Sequence, residues 1–353
     1  MKFLYHCALV ITIALVPRFC LAQKKANFPK EKDLHAYLMV YFKDDTHSLY
    51  MALSKDGYSF TDVNKGQPII AGDTVAEQKG VRDPYIYRAP NDEFYLALTD
   101  LHLFAQRMGY RSTKWEREEK DYGWGNNHGL VLMKSKDLVH WSHMILRVDK
   151  AFPELSEVGC AWAPEMIYDD KLGKTMLYFT MRMGVQKEKV YYTYMNDDFS
   201  KMETLPKPIF EYPGGVPFID GDLTKVGNKY HFFYCSHDGR SGIKQAVSDS
   251  INSGFVYDAK WVDPEPGSCE APTIFKRIGE NKWVLVYDIF SIKPHNFGFS
   301  ETTDFKTFTN LGHFNEGVMK ATNFSIPKHP NVIPLTRKEA QTLADAWQLD
   351  MKF

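Results

Sequence analysis

Acidic residues recur within two positions of a proline or a glycine at four places in this chain, and a histidine–proline pair stands at a fifth. The motifs are Arg82-Asp83-Pro84, Ala163-Pro164-Glu165, Ile219-Asp220-Gly221-Asp222, Glu270-Ala271-Pro272 and His329-Pro330. Carboxyl groups in unlike surroundings can divide into one proton donor and one base, which is what acid–base catalysis requires. Any one of these motifs alone is also typical of a turn. Their recurrence favours a shared site over unrelated turns.

A short apolar strand recurs five times along the chain, at 36–42, 94–100, 175–182, 229–235 and 282–288. A second strand and a polar turn follow each copy. The turn aspartates at 56, 137, 198, 249 and 304 are 81, 61, 51 and 55 residues apart. Continuous apolar strands of this type are typical of sheets that are buried on both faces. Five such copies predict an all-β fold, a five-bladed β-propeller, with a pair of β-sandwiches as the main alternative.

The two ends of the chain are predicted to close the ring of blades. The last four copies have a further apolar strand upstream, whereas only a short polar stretch precedes the first copy. Residues 331–336, near the C-terminus, form an unpaired strand of the missing kind. We therefore expect them to complete the N-terminal blade, which would leave no open sheet edge. Residues 35–353 are interpreted as one propeller domain that follows an N-terminal extension at 23–34.

The wide first interval marks an insertion at residues 101–128, which is polar and aromatic. An insertion on one blade of a propeller commonly shapes the binding face. Trp124 and His128, near the end of the insertion, are therefore candidates for a wall of the substrate site, although an ordinary surface loop would have the same composition. Residues 337–347 form the one stretch with a clear helical pattern.

The innermost strands of a propeller line a central channel. Residues at equivalent ends of these strands therefore converge at one mouth, although they are far apart in the sequence. The acidic motifs stand just before the predicted innermost strands. Converging acids are costly to bury unless they have a function, and their repulsion raises some pKa values while others stay low. The sequence thus predicts a channel mouth that carries a proton donor and a base.

These motifs resemble those of glycoside hydrolase family 43, a family of inverting five-bladed propellers that act on arabinose- and xylose-containing glycans. The resemblance covers residues 35–336. It implies that Asp83 is the general base, that Glu270 is the general acid, and that Asp220 orients the acid and tunes its pKa. Asp222 competes with Asp220 for the last role, because Gly221 stands where the family usually has proline.

Three further residues are candidates for contact with the substrate or with an ion. Glu165 ends the stretch Ala161–Glu165, which resembles the Trp-Ala-Pro-acid motif of the family's second blade and is expected at the substrate. Trp162 offers an aromatic face on which a sugar can stack, or it packs in the core. His329 resembles a last-blade histidine that helps to hold a hydrated cation. The resemblance thus implies Ca²⁺ or Na⁺ in the channel, while the chemistry itself is expected to need no cofactor.

The implied reaction is hydrolysis of a glycosidic bond of an oligo- or polysaccharide, with inversion at the anomeric carbon. We expect an exo-acting α-L-arabinofuranosidase, because a long insertion beside the channel more often closes a pocket than leaves a groove. A β-xylosidase or an exo-β-galactosidase on the same scaffold, and a non-catalytic glycan-binding propeller, are the alternatives. A retaining fructan-cleaving relative would carry an Asn-Asp-Pro-Asn-Gly motif that this chain lacks, and a protein-interaction propeller would not need acidic channel motifs.

Composition and the N-terminus limit the partners and the location. Lys and Arg number 43 and Asp and Glu 44, which gives a net charge of −1. This balance argues against nucleic acid or an anionic membrane as a partner.

Residues 1–22 have the pattern of a secretory signal, so export to the periplasm or the cell exterior is expected. No other stretch is apolar enough for a membrane span. Buried thiols are favoured over a disulfide for the remaining cysteines, Cys160, Cys235 and Cys269.

Overall fold

The computed structural model describes residues 28–353, and in this part of the chain 21 strands form five sheets. The N-terminal sheet begins with β1 (Leu34–Lys43), β2 (Ser48–Ser54) and β3 (Ser59–Asp62). The second sheet contains β4 (Val81–Arg88), β5 (Phe94–Asp100), β6 (Gly129–Ser135) and β7 (Ser142–Arg147). The third contains β8 (Val158–Asp169), β9 (Lys174–Met183), β10 (Lys189–Tyr194) and β11 (Lys207–Pro208).

The fourth sheet contains β12 (Phe218–Val226), β13 (Lys229–Ser236), β14 (Gly242–Ser248) and β15 (Val256–Tyr257). The fifth contains β16 (Glu270–Lys276), β17 (Trp283–Ile289), β18 (Asn296–Thr302) and β19 (Thr309–His313). The chain then returns to the N-terminal sheet as β20 (Lys320–Ala321) and β21 (Lys328–Thr336).

The helices of the described region are short. They are α1 (Gly72–Val75), α2 (Glu119–Tyr122), α3 (Val148–Ala151) and α4 (Arg337–Ala346), with 3-10 turns at Glu31–Asp33, Pro153–Leu155 and Pro213–Gly215. Within residues 28–353 we find no helix with the length and apolar character needed to cross a bilayer. The expected signal at 1–22 lies outside the described residues. The expected extension at 23–34 is described from residue 28, and its last residue already belongs to β1.

The five innermost strands form a closed ring. In four blades the strands follow one another in chain order across the sheet, beginning with β4, β8, β12 and β16. In the N-terminal blade β21 holds this first place, beside β1. Each innermost strand contacts the next, in the order β21, β4, β8, β12, β16 and back to β21. The predicted five-bladed propeller is confirmed.

The C-terminal strand closes the ring as predicted. β21 pairs antiparallel with β1, with Leu38 opposite Ile333 and Met39 opposite Val332. A second contact was not predicted: β20 runs parallel to β3 and pairs Lys320 with Ser59. The chain therefore covers the outer edge of the N-terminal blade before it returns to the channel. Both edges of that blade are protected.

Burial between neighbouring blades explains why the strands are continuously apolar. Every residue of β2 and of β5 is buried, because a blade inside the ring is covered on both faces. Five apolar clusters fill the five junctions, and each draws side chains from two neighbouring blades. The predicted buried, unpaired thiols are also confirmed, at Cys160, Cys235 and Cys269.

A repeated turn follows the apolar strands in three blades. Asp56, Asp137 and Asp304 each accept two backbone N–H groups through one carboxylate oxygen, at 2.8 to 2.9 Å. In the third blade Asn196, and not the aspartate at 198, accepts N–H groups in this way. Asn and Asp both form such turns, because their short side chains reach the backbone a few residues ahead.

The predicted C-terminal helix is present as α4 and ends one residue earlier than expected. Thr336 and Glu339 form a capping box at its start, which satisfies the free N–H groups of the first turn. Leu343 packs in the junction between the first two blades, and Glu339 pairs with Arg88 at the end of β4. The helix thus anchors the closing strand to its neighbour in the ring.

Candidate active site

Each innermost strand carries a bulge at the motif that the sequence singled out. One residue of every motif has a left-handed backbone, with φ between 45° and 53°: Asp83, Ala163, Asp220, Ala271 and His329. The pairing with the second strand shifts at the same points. The motifs were expected just before the strands, but they lie inside them, because a bulge re-aims side chains while the ladder resumes on either side. Such backbone costs about 1–3 kcal/mol per residue and is typical of functional sites.

The second strand of one blade holds the bulge of the next blade. Thr99 Oγ1 accepts the N–H of Ala163 at 2.8 Å, and Thr180 Oγ1 accepts that of Asp220 at 3.0 Å. Asp288 Oδ2 accepts the N–H of the bulged residue of β21 at 3.2 Å. These bonds cross the blade junctions, so the bulges are fixed relative to one another.

Asp83 is held as a carboxylate by two donors. Thr99 donates its hydroxyl proton to Asp83 Oδ2 at 2.7 Å, and His329 Nδ1 lies 3.3 Å from Oδ1. Burial opposes the charge, but the His329 cation and Arg82 outweigh it, so the pKa of Asp83 lies well below its ordinary value. The Asp83 carboxylate in turn raises the pKa of His329, against the effect of burial. Each member of the pair therefore favours the charged form of the other.

Glu270 is in the opposite protonation state. It directly precedes the bulged residue of β16, and 28% of its side chain is exposed. Burial of the carboxyl group, together with repulsion from Asp220 and Asp288, raises the pKa of Glu270 to about 8, although Lys328 lowers it. Glu270 is thus a partly exposed carboxylic acid that keeps its proton at neutral pH.

Asp220 lies close to both of these groups. Burial and the charge of Asp83 raise the pKa of Asp220 to about 6, whereas His329 and the N–H of Ala271 lower it. Asp220 in turn raises the pKa of Glu270 through its negative charge. The structure therefore brings Asp83, Asp220 and Glu270 together, as the sequence predicted, with His329 beside them.

Asp222 and Glu165 form a separate buried pair. Asp222 Oδ2 accepts the N–H of Ile274 at 2.7 Å, and Glu165 accepts the hydroxyl proton of Tyr178 at 2.9 Å. The two carboxyl groups hydrogen-bond to each other, and burial raises the pKa of both, that of Asp222 to about 7. Glu165 is 2% exposed. The structure thus places both residues inside the protein, and of the two competing aspartates Asp220 is the one beside Glu270.

Trp162 and Trp124 form an aromatic wall beside the third blade. Their ring centroids are 5.7 Å apart in an edge-to-face arrangement, and the Trp162 indole N–H donates to the Gly125 carbonyl at 2.9 Å. Trp162 directly precedes the left-handed residue of β8, just as Glu270 directly precedes that of β16. The two residues therefore occupy equivalent positions on their strands. Trp124 is 51% exposed. An exposed aromatic ring therefore stands next to an innermost strand.

The end of the insertion is fixed to the third blade. The Asn127 amide bonds both backbone groups of Ala161, at 2.7 Å to the N–H and at 2.8 Å to the carbonyl. His128 instead contacts Asp149, at 3.1 Å from Nδ1. Burial and the charge of Arg117 lower the pKa of His128 to about 4. His128 is thus a neutral residue that supports the insertion, and the structure does not bring it to the Asp83 group.

His329 contacts the site through one of its two ring nitrogens. Its Nδ1 lies 3.3 Å from Asp83 Oδ1, so the contact with the carboxylate fixes the orientation of the ring. Among residues 28–353, no group of three or more histidine, cysteine, aspartate or glutamate side chains is arranged to hold an ion. The cation implied by the resemblance was expected to be held mostly through water, so it stays a prediction, and no chemical step below depends on it.

Three contacts of the site were missed by sequence reasoning: Thr99, Asp288 and Lys328. Thr99 and Asp288 lie on second strands, directly opposite Arg82 and Glu270 in the strand pairing. The Lys328 ammonium lies 3.7 Å from Glu270 Oε1. The signal that could have found the first two is their register opposite the motifs, which is visible only once the strand pairing is known.

Comparison with known proteins identifies the family. Residues 32–341 match the family model described as "Probable glycosyl hydrolase domain", which is related to glycoside hydrolase family 43. A curated relative, an α-L-arabinofuranosidase of Bifidobacterium longum subsp. longum, is 24% identical over 217 residues. That match covers 56% of this chain and 18% of the relative. The chain thus spans about a fifth of the relative's length.

Solved structures show the same architecture. An endo-1,4-β-xylanase from Bacteroides thetaiotaomicron is 14% identical with a TM-score of 0.56, over 78% of this chain and 90% of that chain. An exo-1,5-α-L-arabinanase from a bovine ruminal metagenomic library is 14% identical with a TM-score of 0.54, over 79% and 96%. At this identity the likeness shows the fold alone. The family match, by contrast, spans most of the sequence and confirms the resemblance: the chain belongs to the probable glycosyl hydrolase family related to glycoside hydrolase family 43.

Proposed function

We propose that the protein is an inverting exo-glycoside hydrolase in which Asp83 is the general base and Glu270 the general acid. The observation that carries this proposal is the contrast between the surroundings of two carboxyl groups on the innermost strands. His329 and Thr99 hold Asp83 ionised, whereas Glu270 keeps its proton up to about pH 8. Surroundings that push the pKa values of two acids apart are typical of an acid–base pair.

In the proposed reaction, Glu270 gives its proton to the glycosidic oxygen while the bond from that oxygen to the anomeric carbon breaks. Asp83 takes a proton from a water molecule, whose oxygen bonds to the anomeric carbon from the opposite face. One proton leaves Glu270 and one arrives on Asp83, so exchange with solvent restores both groups. Burial, together with the charge of Asp220, favours the protonated form of Glu270 until the transfer.

The position of the two strands supports inversion. Inverting enzymes keep their two carboxyl groups about 6.5–9.5 Å apart, which leaves room for the attacking water, whereas retaining enzymes bring them to about 5 Å. Asp83 and Glu270 lie on β4 and β16, and β21 stands between these strands in the ring. A whole strand thus separates acid from base.

A terminal α-L-arabinofuranosyl unit is the substrate that we propose. The curated relative carries the name of an α-L-arabinofuranosidase. Asn127 fixes the insertion against the third blade, and we propose that the insertion forms one wall of a pocket that admits a chain end. Trp162 and the exposed Trp124 are the proposed sugar contacts, since amphipathic aromatic rings are well suited to bind the apolar faces of sugars.

A panel of nitrophenyl glycosides tests this proposal, with the wild type beside Glu270→Ala. We expect release from the α-L-arabinofuranoside, with a reduced rate in the variant. If only the β-D-xyloside or the β-D-galactoside is hydrolysed, the proposed sugar is wrong, and the proposed glycoside hydrolysis stands. Glycan binding without hydrolysis of any member, or of any natural oligosaccharide, would contradict the proposal and support a non-catalytic propeller.

We also propose that the protein is exported, because residues 1–22 have the pattern of a secretory signal. Mass spectrometry of the protein recovered from the periplasm or the medium is expected to find Gln23 at the N-terminus. Recovery of the full chain with Met1 from the cytoplasm alone would contradict export.

A further inference from the structure

Lys328 is a buried cation that the proposed mechanism does not use. It directly precedes His329 on β21, and its side chain is 4% exposed. The ammonium nitrogen lies 2.8 Å from Asp288 Oδ2 and 3.7 Å from Glu270 Oε1. Within residues 28–353, Lys328 is the one cationic side chain within 4 Å of the Glu270 carboxyl group.

A cation at this distance has two opposite effects on a general acid. It stabilises the carboxylate that forms when the acid gives up its proton, which favours the transfer. It also favours the ionised form before the reaction, which would leave the enzyme without a proton to donate. A cation that assists a general acid must therefore have its charge offset by a nearby anion before the reaction begins.

Asp288 supplies that balance in this structure. It lies directly opposite Glu270 in the pairing of β16 with β17, and it is fully buried. Asp288 Oδ2 pairs with Lys328 and also accepts the N–H of His329, while Oδ1 has no hydrogen-bond partner. A buried charge without its partner is strongly unfavourable, so Asp288 and Lys328 hold each other in place.

Charged and titratable groups face Glu270 from five strands: Lys328 and His329 on β21, Asp288 on β17, Asp220 on β12, Arg82 on β4 and Cys235 on β13. Among these charges, Lys328 has the strongest effect on the pKa of Glu270, which it lowers. Asp220 and Asp288 act in the opposite direction. Burial, Asp220 and Asp288 thus raise the pKa of Glu270, and Lys328 and His329 lower it.

We infer that Lys328 is a positioning residue for Glu270, and that Asp288 holds its charge so that the acid keeps its proton until the glycosidic oxygen takes it. When the C–O bond breaks and the proton leaves, the new carboxylate stands beside the Lys328 ammonium, which stabilises it. This inference rests on the proposed role of Glu270 as the acid.

Two single variants test the inference because they should act in opposite directions. Lys328→Met removes the cation, so the alkaline limb of kcat/KM should move to higher pH. Asp288→Asn keeps an oxygen for the His329 N–H but frees Lys328 to pair with Glu270, so the limb should move to lower pH. Each shift should be about one pH unit or more, as for an opposite charge at this distance.

The controls separate charge from folding. Lys276→Met removes an exposed lysine at the other end of β16, which pairs with Glu31, and should leave the limb where it is in the wild type. The double variant Lys328→Met/Asp288→Asn removes both charges without leaving one unpaired, and its limb should lie close to that of the wild type. Circular dichroism and thermal unfolding check each variant, and the double variant stays informative if one single variant is poorly folded.

A readout that needs no activity tests the effect of Lys328 on Glu270 separately from the proposed reaction. The ¹³C NMR titration of the Glu270 carboxyl group, assigned by its loss in Glu270→Gln, should show the same two opposite shifts. Equal titration in the folded single variants, or shifts in one direction only, would overturn the inference. If the wild type hydrolyses no glycan, the proposed function fails, and the carboxyl titration alone decides the role of Lys328.

Discussion

Asp83 and Glu270 are both largely buried and both lie near a cation, yet they differ in protonation. Asp83 accepts a hydroxyl proton from Thr99 and lies 3.3 Å from His329, so its negative charge is doubly supported. Glu270 has no such support, because Asp288 shares the charge of Lys328 and Asp220 adds a second negative charge. At the residue scale, the neighbours thus support the proposed roles of Asp83 as the base and Glu270 as the acid.

Loss of either carboxyl group should disable the reaction. Asp83→Ala and Glu270→Ala are each expected to lower kcat by about 10²–10⁴-fold on an arabino-oligosaccharide. With a nitrophenyl glycoside the Glu270→Ala loss should be smaller, since nitrophenolate leaves with little need of a proton. Asp249→Ala, which removes an exposed turn aspartate that pairs with Lys229, is the matched control. Near-wild-type kcat in either site variant, with the fold intact, would remove that residue from the mechanism.

The pH dependence should report the same two groups. The base must be ionised, so activity is present above the pKa of Asp83, which lies below its ordinary range. The acid must be protonated, so activity is lost as the pH rises through the pKa of Glu270, which is raised to about 8. The pH profile of kcat/KM measures these values in the free enzyme. An alkaline limb near the ordinary glutamate value of about 4.3 would contradict the assignment.

At the scale of elements, strands could be predicted where their pattern is local, and the bulges could not. The apolar strands and α4 follow from continuous apolar runs and from a helical pattern. The left-handed residues do not, because four of them share only a following proline and the fifth, Asp220, is followed by Gly221. The consequence is visible two residues further on: Glu165 and Asp222 follow their bulges by two positions and lie inside the protein. The bulge decides which acids of a motif join the site.

The insertion is the element that we expect to contact the sugar units beyond the cleaved one. Trp124→Ala should raise KM for an arabino-oligosaccharide about tenfold, which corresponds to about 1.4 kcal/mol of lost binding, because an exposed aromatic platform is removed. Its KM for the small nitrophenyl arabinofuranoside should change much less. Tyr257→Ala, at an exposed aromatic residue of β15, serves as the control. Unchanged KM for the oligosaccharide would exclude Trp124 from the substrate site.

At the scale of the whole molecule, the period of the repeat predicted both the number of blades and the strand that closes the ring. The extra closure by β20 could not be predicted, because a two-residue strand leaves no pattern. The hydrogen bonds between blades that Thr99, Thr180 and Asp288 form could not be predicted for another reason. They depend on which residues face each other across a junction, and this is a property of the assembled ring.

Closure of the ring should dominate stability. Leu335 of β21 is fully buried in the junction of the first two blades. Leu335→Ala is expected to lower the free energy of unfolding by about 2–5 kcal/mol, the range for a buried leucine that leaves a cavity. Leu205→Ala, at an exposed leucine, should change it by about 0.5 kcal/mol or less. Urea unfolding measures both, and equal midpoints for the two variants would contradict the importance of the closing strand.

The stereochemistry of the first product tests the central claim most directly. Proton NMR during hydrolysis of α-1,5-linked arabinobiose should show β-L-arabinofuranose first, before the anomers equilibrate, and Glu270→Gln should form it far more slowly. This is the outcome for a water activated by Asp83 on the face opposite the acid. Appearance of the α-anomer first, or an undiminished rate in Glu270→Gln, would contradict the assignment of Asp83 and Glu270 as an inverting pair.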